Sequence, residues 1–280
     1  MIKRVWFDVE IGTNPDVATA LLFALKHPGI EVLGISISGS ERSIEQRMDE
    51  AKSLLEYADQ LHLPLYKSSE LNGDVINSIN PDHTIVSGAL YDISRLILDE
   101  TNFGQINIFA GMFSQVNYRG TTVSIGETIA KDIDSARVIF SQSKDLVISS
   151  FDATNTLSLD SGTQSKLEKS NKFLKARFEG YGEYLETKYE DKNTQMIMHS
   201  LLPVCDILKL PGITRETIEF YIQPDGSLFP TYELIDVLEP IREYIHPSDI
   251  EKMPMPKVKQ EVIRSIVPKI IFEELLNTLT

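Results

Sequence analysis

Apolar and polar positions along the chain switch repeatedly between a period of two and a period near 3.6. Val5-Trp6-Phe7 is an apolar run of strand character that empties into Asp8, Glu10, Gly12, Asn14 and Asp16. An amphipathic helix follows, with Val17, Leu21, Ala24 and Leu25 on one face. Glu31 to Ser38 predicts a second strand and Ser38-Gly39-Ser40 a turn. From about Ser43 a helix carries Ile44, Met48, Ala51, Leu55 and Ala58 three and four apart. Leu63 to Tyr66 predicts a short third strand, and residues 68–88, polar and weakly periodic, predict a long loop. A helix through Leu90, Ile93 and Ile97 then leads to buried strands at Gln105 to Gly111 and Leu146 to Ser150. Leu174, Phe178, Tyr181, Leu185 and Tyr189 share one face of a long helix, the ordinary mark of core packing. A strand from Ile218 to Gln223 and a final helical run near Val258 to Leu276 complete the pattern.

Alternating strands and helices of this kind predict an α/β fold: a mostly parallel central sheet flanked by helices, Rossmann-like. Neither internal repeats nor low-complexity segments interrupt it, so residues 1–280 are expected to form a single domain. In such sheets ligands bind outside the carboxyl ends of the strands. The turn from Asp8 to Asp16 stands at one such end. Oxygen-bearing side chains there could surround a hard cation or hold sugar hydroxyls near a helix N-terminus. A plainer account is that Asn14 and Asp16 cap the helix while Gly12 makes the turn.

Composition narrows the partners. A net charge of −14 offers no basic field for phosphates, which argues against nucleic acid. The first strand starts almost at Met1 with no long apolar stretch, so neither a signal peptide nor a membrane span is expected. One cysteine, Cys205, excludes an intrachain disulfide and suits a reducing compartment; a cytoplasmic address is the expectation. Cys205 itself reads as a small apolar residue in a helix. No G-x-G-x-x-G or P-loop follows the first strand, which disfavours a dinucleotide- or phosphate-binding enzyme.

Several motifs together resemble the inosine–uridine nucleoside hydrolase family. They are Phe7-Asp8-x-Glu10-x-Gly12, the helix end Ala20-Leu21-Leu22-Phe23-Ala24-Leu25, and Pro28-Gly29-Ile30-Glu31-Val32-Leu33-Gly34-Ile35-Ser36. Further on come Gly111-Met112-Phe113-Ser114-Gln115, then Gly126-Glu127-Thr128 leading to Asp132 and Val138. Phe151-Asp152-Ala153-Thr154 and Met196-Ile197-Met198-His199-Ser200-Leu201-Leu202-Pro203 close the series. The resemblance implies hydrolysis of the N-glycosidic bond of a ribonucleoside or related ribosyl compound, a Ca2+ cofactor and a homo-oligomer. It assigns the general base to Glu10 and the leaving-group contact to His199. Asp8, Glu10, Asp16 and the Ser114 carbonyl fall on metal positions. Asn14, Asp16, Ser40, Glu127 and His83, the last as an echo of a lid histidine, fall near the sugar.

The chain departs from that family where charge matters most. Val17 and Ser200 stand at two carboxylate positions, Ile129 at a ribose-binding Asn, and Ser40 at another. Calcium needs six to eight oxygens with enough negative charge to replace its water, so tight calcium binding is not expected. Two functions therefore remain open: a divergent nucleoside hydrolase with a metal-poor site, or a catalytically inactive relative that binds a ribosyl ligand or a protein partner. Asp152 is expected to tie loops together rather than do chemistry.

Overall fold

The computed structural model describes residues 1–12, 14–39, 43–114, 116–118, 121–123, 125–189, 196–231 and 257–280. Strands are β1 (Lys3–Val9), β2 (Ile30–Ile37), β3 (Leu65–Lys67), β4 (His83–Ser87), β5 (Gln105–Phe109), β6 (Val116–Tyr118), β7 (Thr121–Val123), β8 (Leu146–Ser149), β9 (Thr214–Ile222), β10 (Leu228–Pro230) and β11 (Lys257–Ser265). Helices are α1 (Pro15–Lys26), α2 (Ile44–Tyr57), α3 (Gly73–Ile79), α4 (Tyr91–Leu98), α5 (Glu127–Lys131), α6 (Ile133–Gln142), α7 (Phe151–Thr154), α8 (Ser161–Ser170), α9 (Lys172–Tyr189), α10 (Leu201–Ile207) and α11 (Pro268–Leu279).

Nine strands form one sheet in the order β10-β9-β11-β8-β5-β4-β1-β2-β3; β6 and β7 make a separate antiparallel hairpin. Neighbours from β11 to β3 run parallel, while β9 is antiparallel to both β11 and β10. The chain winds from β1 outward to β3, then returns to the other side of β1 with β4. That reversal opens a crevice beyond the carboxyl ends of β1 and β4, the place where doubly wound sheets bind ligands.

Both faces of β1 are covered, which is why its sequence is a continuous apolar run. Val5, Phe7 and Val9 join the core on the side of α1, α10 and α11, whereas Trp6 joins the core that includes α4 and α6. Asp8 shares the Trp6 side by the period of two. The Trp6 indole Nε1 donates to Ser36 Oγ at 3.1 Å, and Ser36 Oγ in turn donates to Asp8. At α2 a capping box holds the start: the Ser43 side chain accepts from Gln46 N and the Gln46 side chain accepts from Ser43 N.

Two sequence expectations are corrected. Residues 68–88 are not a long loop but a 3-10 turn (Ser68–Glu70), α3 and β4. The Asn72 side chain caps α3 by accepting from Val75 N, and Asn80 ends it at φ 48°. α3 makes only about two turns, and β4 sets Ile85 and Val86 side by side rather than alternating, so neither pattern stands out from the polar residues around it. The run from Val258 is likewise not one helix: β11 occupies Lys257–Ser265, and α11 begins only at Pro268. Val258 and Val262 lie four apart, a spacing that satisfies both periods, while Pro268 sits where helices accept it, in the first turn.

Among the described residues no helix is long and apolar enough to cross a membrane.

Candidate active-site cleft

The crevice at the strand ends is a cleft of about 770 Å3 whose walls include Glu10, Asn14, Asp16, Val17, Arg47, His199 and Ser200. That size suits a ligand of drug or nucleoside dimensions. Glu10 follows β1 directly. Its Oε1 lies 2.9 Å from Arg47 Nη1, and the same nitrogen donates to the Ser38 carbonyl at 2.7 Å. Arg47 is 1% exposed, so the pair forms part of the floor rather than a surface ion pair.

Asp16 enters from the first turn of α1. Its carboxylate accepts the Ser200 backbone N–H at 3.0 Å and the Ser200 hydroxyl at 2.8 Å. Burial pushes its pKa up to about 7, against the lowering effect of these Ser200 bonds. Asn14 also borders the cleft, but its Oδ1 accepts Asp16 N at 3.0 Å and caps α1, the plainer role anticipated for it. Asp8 lies beneath the floor with no exposed surface. Ser36 Oγ and Ser68 Oγ donate to its Oδ2 at 2.6 and 2.5 Å, and Ser38 Oγ to its Oδ1 at 3.2 Å. Burial raises its pKa to about 6 despite those three donors.

His199 stands on the far wall, one residue before the cap of α10. Its ring is held between Phe109, at the end of β5, and Phe151, at the start of α7. The centroids are 4.7 and 4.9 Å away and the planes tilt by 16° and 30°. Nδ1 sits 2.8 Å from Thr154 Oγ1. Burial pushes the imidazole down to about 3, so it is neutral at physiological pH. With Nδ1 engaged, Nε2 is the nitrogen left for a ligand.

The remaining expected residues scatter. Glu127 lines the rim, largely exposed and 2.9 Å from Lys131 Nζ. Ser114 lies outside the cleft wall, its hydroxyl bonded to Asp152, which also accepts Phe113 N at 2.8 Å; Asp152 thus ties the loop after β5 to α7. His83 is not brought to the site. It opens β4, whose opposite end, Ser87, borders the cleft, so the length of a strand separates them. As a strand residue beside Asn107, His83 cannot belong to a lid. Ser40 falls outside the described residues.

The cleft wall also includes aromatic side chains to which the sequence assigns no functional part. Phe109 and Phe151 both follow the general rule that strand ends face the ligand, and that rule could have flagged them. Tyr181 and Tyr184, on α9, stack at 6.1 Å and border the cleft. They lie three positions apart, so the core face of that helix grades into the cleft wall.

The donor set does not fit the Ca2+ that the resemblance implies. Fully buried Asp8 accepts from three hydroxyls, Asp16 accepts from the Ser200 N–H and O–H, one oxygen of Glu10 faces Arg47, and Val17 offers no side-chain oxygen. Among the described residues no three His, Cys, Asp or Glu side chains converge on a metal-sized space.

A doubly wound sheet with this cleft at its switch point is the fold of the nucleoside hydrolases, and solved structures of that class match the chain from end to end. A plant nucleoside hydrolase superposes with a TM-score of 0.77 at 18% identity, covering 100% of this chain and 99% of its own. A purine-preferring ribonucleoside hydrolase from Gardnerella vaginalis gives 0.75 at 16% identity, covering 99% and 98%. The inosine–uridine preferring nucleoside hydrolase of Bacillus anthracis gives 0.71 at 11%, covering 99% of both chains. No family model matches the sequence. A stretch of 65 residues, 23% of this chain, is 31% identical to 71% of an uncharacterized protein in the ribF 3′ region of Corynebacterium ammoniagenes. The chain belongs to the same family as that protein.

Proposed function

We propose that this chain binds a nucleoside or related ribosyl compound in the cleft and hydrolyses its N-glycosidic bond as a divergent nucleoside hydrolase. The observation that carries the proposal is that Glu10 and His199 line the same cavity of about 770 Å3. Water attacks the anomeric carbon of an oxocarbenium-like sugar while the C–N bond breaks and its electron pair goes to the departing base. Glu10 receives the water's proton through Oε2, the oxygen not engaged by Arg47. His199 donates from Nε2 to the leaving base when Thr154 donates to Nδ1. A neutral imidazole suits that contact because it donates one hydrogen bond without burying a charge. Phe109, Phe151 and Tyr181 supply apolar walls for the base, and the solved relatives named for nucleosides support the substrate class.

The test is release of reducing sugar from inosine, adenosine and uridine over long incubation. Slow release is expected, and Glu10→Gln should lower it by roughly 100-fold or more, the usual range for a general base. No release above a heat-killed control would overturn the hydrolase reading. A second reading, a ligand-binding relative without turnover, is favoured by one specific observation: every carboxylate expected at the metal is already partnered within the protein. That reading predicts thermal stabilisation by one of the same nucleosides with no sugar released.

A further inference from the structure

We infer that the buried guanidinium of Arg47 is the cleft's resident cation and stands in for a divalent metal beside Glu10, so that the cleft works without one. This rests on the ribosyl-cleft reading only for what is bound, not for how charge is balanced. Nothing in the sequence pattern singles out Arg47, which lies in the first turn of α2 on a polar stretch.

Three observations converge. First, Arg47 is 1% exposed yet borders the cavity, with Nη1 bridging Glu10 Oε1 at 2.9 Å and the Ser38 carbonyl at 2.7 Å. A buried guanidinium with one carboxylate partner leaves that corner of the cleft neutral, whereas an acidic cluster waiting for a metal would carry excess negative charge. Second, its Nε is buried and has no hydrogen-bond partner among the described residues. Buried donors are nearly always satisfied, so an unpaired N–H is unusual in a side chain that borders a cleft. Third, the backbone makes room for the pair. Gly39 adopts φ +107°, and a Cβ there would come within 1.9 Å of Arg47 Nη1 and 2.3 Å of Glu10 Cδ. Only glycine fits both the backbone conformation and the space.

The chemistry follows from the donor geometry. A guanidinium fixes a carboxylate and offers planar N–H donors to hydroxyl oxygens, so it can orient Glu10 and a sugar hydroxyl together. A divalent ion placed beside Glu10 would instead meet an immovable positive charge. At Asp16 protein donors likewise face the carboxylate, which accepts the Ser200 N–H and O–H.

The test compares melting temperatures of the full chain in EDTA and in about 5 mM CaCl2, above the ~1 mM dissociation constant of weak calcium modules. Wild type should melt within about 1 °C in the two buffers; occupancy of even a weak site would raise it by roughly 2 °C or more and overturn the inference. In Arg47→Met, Glu10 loses its counter-charge while Asp8 and Asp16 stay engaged, so inosine affinity in EDTA should fall about tenfold or more, and an affinity equal to wild type would also overturn the inference. Should Arg47→Met fail to fold, the wild-type comparison and direct calcium titration decide alone. Titration with inosine in EDTA separates the two readings. Binding without metal supports both, metal-dependent binding sinks the arginine reading, and absence of binding in either buffer sinks only the ribosyl reading.

Discussion

Asp16 gives the sharpest test of the cleft's architecture, because its burial and its partners make opposite demands on its proton. The carboxylate is 4% exposed and accepts Ser200 N–H and O–H at 3.0 and 2.8 Å. Those donors favour the anion, but burial outweighs them and lifts the pKa from 3.8 to about 7. A group whose folded pKa is raised holds its proton more tightly in the native state, so stability is fully present below the unfolded pKa. It is lost as pH rises through the folded one. At ~1.4 kcal/mol per pH unit, stability from Asp16 should fall by roughly 2–3 kcal/mol between about pH 5 and pH 8. Asp16→Asn removes the titration but keeps a carbonyl oxygen for Ser200 N–H. Urea unfolding of both proteins at the two pH values reads the difference, and effects of Asp8, common to both, cancel. The substitution should cost about 2 kcal/mol more at the lower pH. An equal cost at both, or a larger cost at pH 8, would mean that Ser200 holds Asp16 ionised throughout and would refute the reasoning.

Other consequences follow from packing and burial. Cys205 is fully buried in α10 and its thiol pKa is raised by burial and by the nearby carboxylates of Glu274 and Asp206. It should therefore resist a thiol reagent in native buffer and react only as the chain unfolds in urea. Gly34→Ala should destabilise by about 2 kcal/mol or more in thermal unfolding, since a Cβ there would lie 2.4 Å from the buried Trp6 ring. A loss under about 0.5 kcal/mol would show that the ring can move aside. His199, pushed down to about 3, should show no titration step between pH 5 and 8 in histidine NMR spectra. A midpoint near 6.5 would mean that the Phe109–His199–Phe151 stack is open to water.

How much the sequence discloses depends on the length of the elements. Strands β1, β2 and β5 and helices α1, α2 and α9 carry one or more full periods, and each was readable within a few residues. The segment holding α3 and β4 was not: β5 is as short as β4, but its Ile106 and Ile108 alternate, whereas Ile85 and Val86 of β4 sit side by side among polar residues. At β11 the spacing of Val258 and Val262 fits helix and strand alike, and only the pairing with β8 and β9 decides. The site divides in the same way. Glu10, Asp16 and His199 were legible because they sit at strand ends or helix starts, positions that motif spacing reports. Arg47 was not, because its role comes from burial against Gly39 and Glu10, a contact between elements that no local pattern encodes. His83 was misplaced for the related reason that a strand went unrecognised.

The central claim is that a ribosyl ligand sits between Glu10 and His199, and the most direct measurement is histidine NMR during titration with inosine. Only the His199 ring, among the described histidines, borders the cleft. Its resonances should move on saturation while those of His27, His62 and His83 stay in place, and Glu10→Gln should weaken the titration. Shifts confined to the other histidines, or no shift at any concentration at which nucleosides stabilise the protein, would contradict the account.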